Sequence, residues 1–256
     1  MKIVIDTDAG TVACEDGGER QVTGLYTARA FELLAREWLR VGWTQRYSYG
    51  FTWLGRPIIQ LPEDVVRVQE LIYRLRPDVI IETGVAHGGG LVLYASMCKL
   101  LGGGRVIGVD VEIRPHNRAA IEAHPLFPYI TLIEGDSVAP DVVGQVKGLL
   151  RPGETVLVLL DSNHTRAHVL AELEAYAPLV TPGSYAVAAD GGVMELVAAA
   201  PGGRPDWGWN NPKAAAAEFV ERNPAYVLEE PPPLFDEALT SQRVSYWTGG
   251  YVRRVK

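Results

Sequence analysis

A segment that could approach a ligand closely lies at residues 80–90, IIETGVAHGGG, where an acid and several glycines follow an apolar run. Gly84 comes directly after the run, and Gly88 begins the cluster that opens the next predicted helix. Because glycine has no side chain, backbone at these positions can approach a nucleotide-like cofactor. A tight turn of purely structural purpose has the same composition, so the segment needs support from the strands that follow it.

Polar side chains end the next two predicted strands. Asp110 ends the second strand, where a carboxylate can accept both ribose hydroxyls of an adenosine. Asp136 and Ser137 follow the third strand, where the adenine amino group of the same nucleoside would lie. Together with the glycine-rich turn, these strand ends predict a cofactor that contains adenosine.

Glu82 distinguishes between two such cofactors. A dinucleotide fingerprint requires glycine where this chain has Ala86, and the Glu82 carboxylate would repel a pyrophosphate. The same carboxylate can face the cationic sulfonium and amino group of S-adenosylmethionine, directly or through water. We therefore expect S-adenosylmethionine as the cofactor. A nicotinamide cofactor is the alternative, and the alternative role for Glu82 is to cap backbone amides near the turn.

Two aspartates end the fourth and fifth predicted strands. Asp161 and Asp190 each emerge from an apolar run, and adjacent parallel strands would bring them together over the cofactor's methyl group. Carboxylate, water and substrate oxygens can complete the octahedron of Mg²⁺, which lowers the barrier to deprotonating a hydroxyl and fixes its approach. Asp161 as a helix N-cap is the alternative, although Ser162 and Asn163 can supply that cap.

A histidine in the loop after Asp161 could act as a base. Imidazole titrates near neutrality, so His164 is a candidate general base beside Asp161, and we expect both to be catalytic. A hydrogen-bonding role in the loop is the alternative for His164. His168 falls four residues later, but no third zinc ligand is evident, which favours a packing or surface histidine there.

A regular alternation of strands and helices must position these residues. From Pro62 onward, short apolar runs alternate with helical stretches, which predicts an α/β, doubly wound, mostly parallel sheet with its ligand crevice at the carboxyl ends of the strands. A tail with two further predicted strands brings the total to seven. The predicted strands lie within 78–84, 105–110, 129–136, 155–161, 184–190, 225–230 and 243–255. The predicted helices are 62–75, 90–101, 117–123, 141–150, 165–177 and 213–222.

The first 60 residues form an N-terminal extension to this core. They contain a strand-like KIVID, an amphipathic helix around 28–39 and an aromatic stretch from Trp43 to Trp53. The aromatic side chains could stack on an acceptor ring or pack in the interior. We expect one domain over residues 1–256, with residues 61–256 as its Rossmann-like core.

Composition restricts the partners. The chain has 256 residues, 47% of them hydrophobic, which allows one substantial core, and its net charge of −7 argues against a nucleic-acid surface. A small molecule is the expected partner.

Only Cys14 and Cys98 are present, so no disulfide framework is predicted, and neither an export signal nor an apolar span of roughly 18 residues is evident. We expect a cytoplasmic protein without a membrane anchor.

Several segments together resemble the cephalosporin hydroxylase / rhamnosyl O-methyltransferase family. The resemblance covers about residues 45–256, in order and with similar spacing, and its most specific segments are DSNHT and HVLAELEAYAPLVTPGSY. It implies the class I methyltransferase fold, in which a final antiparallel pair joins the parallel sheet and the last strand is antiparallel. It also implies S-adenosylmethionine, a divalent metal and a homo-oligomer in bacterial natural-product or glycan pathways.

The resemblance also implies residue roles. It gives metal-ligand roles to Asp161 and Asp190, and a place in the cofactor pocket to Glu82, Gly84, Asp110, Asp136 and Ser137. Where the family usually has Glu-Asp at the end of strand five, this chain has Ala189 and Asp190, so one carboxylate of the metal site is absent.

The expected function follows from the residues and the resemblance together. We expect an S-adenosylmethionine-dependent, metal-assisted O-methyltransferase. Its acceptor would be a hydroxyl of a sugar, rhamnose-like or a nucleotide-activated deoxysugar, or of an antibiotic precursor. The alternative, motivated by Ala189, is a non-catalytic subunit that binds the cofactor and supports a partner enzyme.

Overall fold

Twelve β-strands and eight α-helices make up the computed structural model, which describes residues 1–256. The strands are β1 (Lys2–Asp6), β2 (Thr11–Asp16), β3 (Glu19–Gly24), β4 (Thr52–Trp53), β5 (Arg56–Pro57), β6 (Val79–Thr83), β7 (Arg105–Asp110), β8 (Ile130–Glu134), β9 (Val156–Leu160), β10 (Tyr185–Ala188), β11 (Tyr226–Leu228) and β12 (Tyr251–Arg254). The helices are α1 (Ala28–Thr44), α2 (Pro62–Leu75), α3 (Gly89–Leu101), α4 (Pro115–Glu122), α5 (Pro140–Gly148), α6 (Arg166–Tyr176), α7 (Gly191–Val197) and α8 (Pro212–Arg222).

Seven strands form the central sheet, in the order β11-β12-β10-β9-β6-β7-β8. Strands β10, β9, β6, β7 and β8 pair in parallel, whereas β12 is antiparallel to both β10 and β11. This arrangement confirms the predicted doubly wound, mostly parallel sheet with an antiparallel last strand. The strand order reverses between β6 and β9, which is where ligands bind in open α/β sheets.

Helices cover both faces of the sheet. All five residues of β9 are buried, and they alternate between two cores: Leu157 and Leu159 face one, Val156 and Val158 the other. Helices α1, α2, α3, α4 and α7 contribute to the first core, and α5, α6 and α8 to the second. The sheet is therefore held rigidly from both sides, and its carboxyl-end loops remain available for a site.

The helices of the core begin and end close to the predicted residues. Helix α2 starts at Pro62, whose missing N–H would be unpaired there anyway, and it ends before Arg76, which adopts a left-handed conformation. Helix α7 was not predicted. It is only seven residues long and starts with two glycines directly after Asp190, so its sequence signal is weak.

The tail differs from the prediction of a strand over 243–255. Only Tyr251–Arg254 pair in the sheet, because the preceding segment bonds to helix α2 instead. The Ser245 hydroxyl donates to Asp64 Oδ1 at 2.5 Å, and the Tyr246 N–H donates to Asp64 Oδ2 at 2.9 Å. The prediction was therefore wrong for residues 243–250.

The N-terminal segment adds a small antiparallel sheet, β1-β2-β3, and the long helix α1. Thr27 caps α1 by accepting from the Ala30 N–H at 3.3 Å, and Arg40 donates to the Leu196 carbonyl of α7 at 3.1 Å. Leu39 enters the first core. The division into an extension at 1–60 and a core at 61–256 stays a prediction. None of the helices combines the length and the apolar character needed to cross a membrane.

Candidate cofactor and metal site

A cavity of about 200 Å³ lies at the carboxyl ends of β6, β9 and β10. It is located where the strand order reverses, and most of its lining residues are polar or glycine. The predicted site residues among them are Glu82, Gly84, Asp161, His164 and Asp190. Gly88, Asp110, Asp136 and Ser137 lie outside this lining.

Gly84 brings the loops after β6 and β9 into contact. Its φ of 95° is in the left-handed region, and a Cβ there would collide with the backbone carbonyl of Asp161. Only glycine therefore allows the end of β6 to lie against the residue that begins the β9 loop. Gly88 allows helix α4 to pack closely, because a side chain at this position would collide with Ile121 of that helix.

Asp110 fixes the glycine-rich turn from the neighbouring strand. Its Oδ2 accepts from the backbone N–H groups of Val85 at 2.8 Å and Ala86 at 3.1 Å. Asn117 Nδ2 donates to the Ala86 carbonyl at 3.0 Å, and Arg56 donates to the His87 carbonyl at 2.9 Å. The turn is thus held from both directions, and Asn117 and Arg56 are supports that the sequence did not indicate.

Glu82 is a buried side chain that lines the cavity, 2% exposed. The pKa of Glu82 is raised to about 8. Burial is the main cause, a hydrogen bond from Tyr94 partly offsets it, and the charge of Asp110 raises the pKa further. Glu82 Oε2 and the nearby Gln60 Oε1 have no hydrogen-bond partner. Because unpaired buried acceptors are costly, these oxygens mark a place for a cationic or donor group of a ligand.

Asp161, His164 and Asp190 form a compact group with one ligand atom each, all within 4.8 Å of one another. His164 Nε2 lies 3.9 Å from Asp161 Oδ1 and 3.9 Å from Asp190 Oδ2. Asp190 directly precedes α7 in a left-handed conformation, with φ 61°. The predicted convergence of the two carboxylates from adjacent strands is present in the structure.

The electrostatics of this group fit a divalent cation. Burial raises the pKa of Asp161 well above its ordinary value, and repulsion from Asp190 and then from Glu82 adds to the effect. A bound cation would remove that repulsion, and two carboxylates are oxygen donors that Mg²⁺ or Mn²⁺ accepts once water and substrate oxygens complete the shell. Ala189, 2% exposed, packs in the first core, so Asp190 is the sole carboxylate of the two residues that follow β10.

The loop after β8 lies beside helix α6. Ser137 is 5% exposed, and its hydroxyl donates to Glu172 Oε1 at 2.6 Å. Its neighbour Asp136 accepts from the Val138 N–H at 3.1 Å and is exposed. Glu172 was not singled out from the sequence, since a glutamate within a helix gives no signal of burial by itself.

Comparison with known proteins places these residues in a family context. Residues 45–255 match the sequence profile of the family described as Rhamnosyl O-methyltransferase/CmcI. The rhamnosyl O-methyltransferase of Mycobacterium leprae (strain TN) is 32% identical over 142 residues, which cover 54% of this chain and 59% of that protein. The rhamnosyl O-methyltransferase of Mycobacterium tuberculosis (strain ATCC 25618 / H37Rv) is 31% identical over 146 residues, 56% of this chain and 57% of that protein. The matches therefore span less than two thirds of these relatives.

A solved structure of CmcI with Mg and SAM has a similar fold. It superposes with a TM-score of 0.54 and 18% sequence identity, and the overlap covers 81% of this chain and 78% of that chain. At this level of identity, the superposition shows a shared Rossmann-like fold and no shared residue roles.

Proposed function

Because the chain belongs to the Rhamnosyl O-methyltransferase/CmcI family, we propose that it is an S-adenosylmethionine-dependent O-methyltransferase that uses a divalent metal. The observation that supports this most is the group of Asp161, His164 and Asp190 in the same cavity as Glu82 and the turn at Gly84. A cation site and a site for a positively charged cofactor therefore adjoin.

The cofactor would lie across the carboxyl ends of β6, β7 and β8. Glu82, with its unpartnered oxygen, would face the amino group and the sulfonium. Asp110 would accept the ribose hydroxyls, and Asp136 would lie near the adenine amino group. Gly84 allows the β6 turn to approach the ligand, and Asp161 would border the reactive methyl group.

The proposed reaction transfers a methyl group from S-adenosylmethionine to a hydroxyl oxygen of the acceptor. A Mg²⁺ held by Asp161 and Asp190 would supply Lewis acidity toward the acceptor's oxygens. His164 would accept the hydroxyl proton as the oxygen attacks the methyl carbon. The new C–O bond forms while the C–S bond breaks, and the electron pair returns to sulfur, which leaves S-adenosylhomocysteine and a methyl ether.

The acceptor would be a sugar hydroxyl, and Tyr49 is the residue that supports this class. Tyr49 lines the cavity and is 60% exposed. The other aromatic side chains nearby are engaged: Trp43 packs on Trp207, Tyr47 on Phe51, and Trp53 donates to Ser96. The exposed Tyr49 ring would stack on the C–H face of a pyranose ring, because aromatic faces are electronegative.

The assembly and the setting are also proposals. A homo-oligomer agrees with the exposed apolar side chains of Phe31 and Trp38 on α1. A cytoplasmic setting agrees with two unpaired cysteines, Cys14 and Cys98.

Methyl transfer to a panel of rhamnosyl and deoxysugar acceptors, with and without Mg²⁺, tests the proposal. We expect single-turnover methylation that chelation abolishes. A second candidate function, a non-catalytic cofactor-binding subunit, is favoured by Ala189, which stands where the resemblance leads us to expect a carboxylate. Tight S-adenosylmethionine binding with no product across the whole panel would support that second function.

A further inference from the structure

One face of helix α6 holds the loop after β8. His168, Glu172 and Tyr176 are spaced by four residues, so they share a face of the helix, and all three contact Ser137. The Ser137 hydroxyl lies 3.1 Å from His168 Nε2 and 2.6 Å from Glu172 Oε1. The Tyr176 hydroxyl donates to the Ser137 carbonyl at 2.7 Å.

The same carboxylate oxygen also holds the loop after β9. Ser162 donates its hydroxyl to Glu172 Oε1 at 2.7 Å. Ser162 directly follows Asp161 and Ser137 directly follows Asp136, so one oxygen atom joins the loop on the adenine side to the loop that would bind the metal. Glu172 is fully buried, and its movement is therefore restricted.

The chemistry of this junction indicates a positional purpose. Glu172 Oε2 has no hydrogen-bond partner, and His168 Nε2 lies 3.5 Å from Oε1. A buried carboxylate with an unpaired oxygen costs stability relative to an apolar side chain of similar volume. What it adds is a pair of short, charge-assisted hydrogen bonds that fix two loops relative to each other.

We propose that Glu172 is a positioning residue that couples the cofactor site to the metal site through Ser137 and Ser162. The inference rests on the proposed function and adds to it a thermodynamic property. Occupation of either site orders the loop that it contacts, and Glu172 transmits that order to the other loop. The cofactor and the divalent ion therefore each tighten the binding of the other by the same factor, as linkage requires.

The test measures binding, without turnover. Calorimetry gives the S-adenosylhomocysteine Kd with and without saturating Mn²⁺, and electron paramagnetic resonance gives the Mn²⁺ Kd with and without S-adenosylhomocysteine. In the wild type we expect a reciprocal tightening on the order of tenfold. In Glu172→Gln, which loses the charge, and in Ser162→Ala, which loses one bond, we expect the factor to fall to about twofold or less.

Tyr176→Phe is the matched control. It removes the hydroxyl that bonds to the Ser137 carbonyl but leaves Glu172 and Ser162 in place, so the coupling should persist. Ser162→Ala keeps the inference testable if Glu172→Gln fails to fold. Coupling that persists in Ser162→Ala, or a wild type that binds both ligands independently, overturns the inference alone. A wild type that binds neither ligand overturns the proposed function as well.

Discussion

The carboxylate of Asp110 accepts a hydrogen bond from the backbone N–H of Val85 at 2.8 Å, which joins the end of β7 to the glycine-rich turn after β6. This bond places the predicted ribose acceptor and the predicted close-approach turn in one rigid unit. The two parts of the cofactor site therefore depend on each other.

Asp110→Ala should weaken the cofactor site. The substitution removes the acceptor for two backbone N–H groups as well as the proposed ribose contact, so we expect the S-adenosylhomocysteine Kd to rise about 10- to 100-fold, or roughly 1.4–2.8 kcal/mol. Isothermal titration calorimetry measures it. Glu112→Ala, a nearby exposed acid, is the control and should leave the Kd unchanged. An unaltered Kd in Asp110→Ala would refute the assignment.

Asp161→Asn should affect turnover and spare cofactor binding in the absence of metal. The amide keeps the shape of the side chain but removes the charge proposed to hold the cation, so we expect kcat to fall by about 10²-fold or more. Single-turnover methylation and metal-free calorimetry separate the two effects. If Asp161→Asn instead abolished metal-free cofactor binding while Asp110→Ala reduced only kcat, the two roles would be exchanged.

Binding of S-adenosylmethionine should release a proton near pH 7. The pKa of Glu82 is raised to about 8, so this group is mostly protonated in the free protein at pH 7 and must ionise to face a cationic ligand. Affinity should therefore rise as pH increases toward 8 and then level off. Calorimetry at pH 7 in two buffers of different ionisation enthalpy counts the released protons. Equal proton release by the wild type and Glu82→Gln would contradict the assignment.

Asp64 should make the protein less stable as pH rises from about 4 to 7. Its folded-state pKa is raised from 3.8 to about 7. Burial is the main cause, and the hydrogen bonds from Ser245 and Tyr246 lower the pKa and so partly offset it. Between pH 4 and 7 the native state therefore keeps a proton that the unfolded chain has lost. The free energy of unfolding is highest below pH 4 and decreases as the pH rises to 7, by an amount on the order of 4 kcal/mol at most.

Urea unfolding of Asp64→Asn across this pH range measures that contribution. The variant should show a flatter pH dependence than the wild type, since asparagine does not titrate. Glu221→Gln, at an exposed position of α8, should retain the wild-type slope. Identical slopes in the wild type and Asp64→Asn would show that Asp64 does not titrate in this range.

Much of the fold could be predicted from the sequence, because buried parallel strands are continuous apolar runs and because a shared sheet edge brings their ends together. Asp161 and Asp190 could be paired by that argument alone. The end of the chain could not be predicted, since Ser245 and Tyr246 leave the sheet for Asp64, about 180 residues away in sequence. Glu172 escaped notice for the same reason: its environment is made by loops that only the tertiary fold assembles.

Tyr49→Ala should weaken acceptor binding without affecting the cofactor. Tyr49 lines the cavity and is largely exposed, and the Arg46 guanidinium lies 5.7 Å from the ring centroid, which helps to hold the ring in place. Loss of one stacking contact of about 1 kcal/mol predicts a KM for the sugar acceptor that is roughly five- to tenfold higher. Tyr49→Phe keeps the ring and should retain the wild-type KM, and Tyr26→Ala, at an exposed position outside this cavity, controls for general surface effects. Steady-state kinetics measures these KM values, with the acceptor varied at saturating S-adenosylmethionine. If the KM of Tyr49→Phe were as high as that of Tyr49→Ala, the contact would belong to the hydroxyl and the stacking interpretation would be rejected.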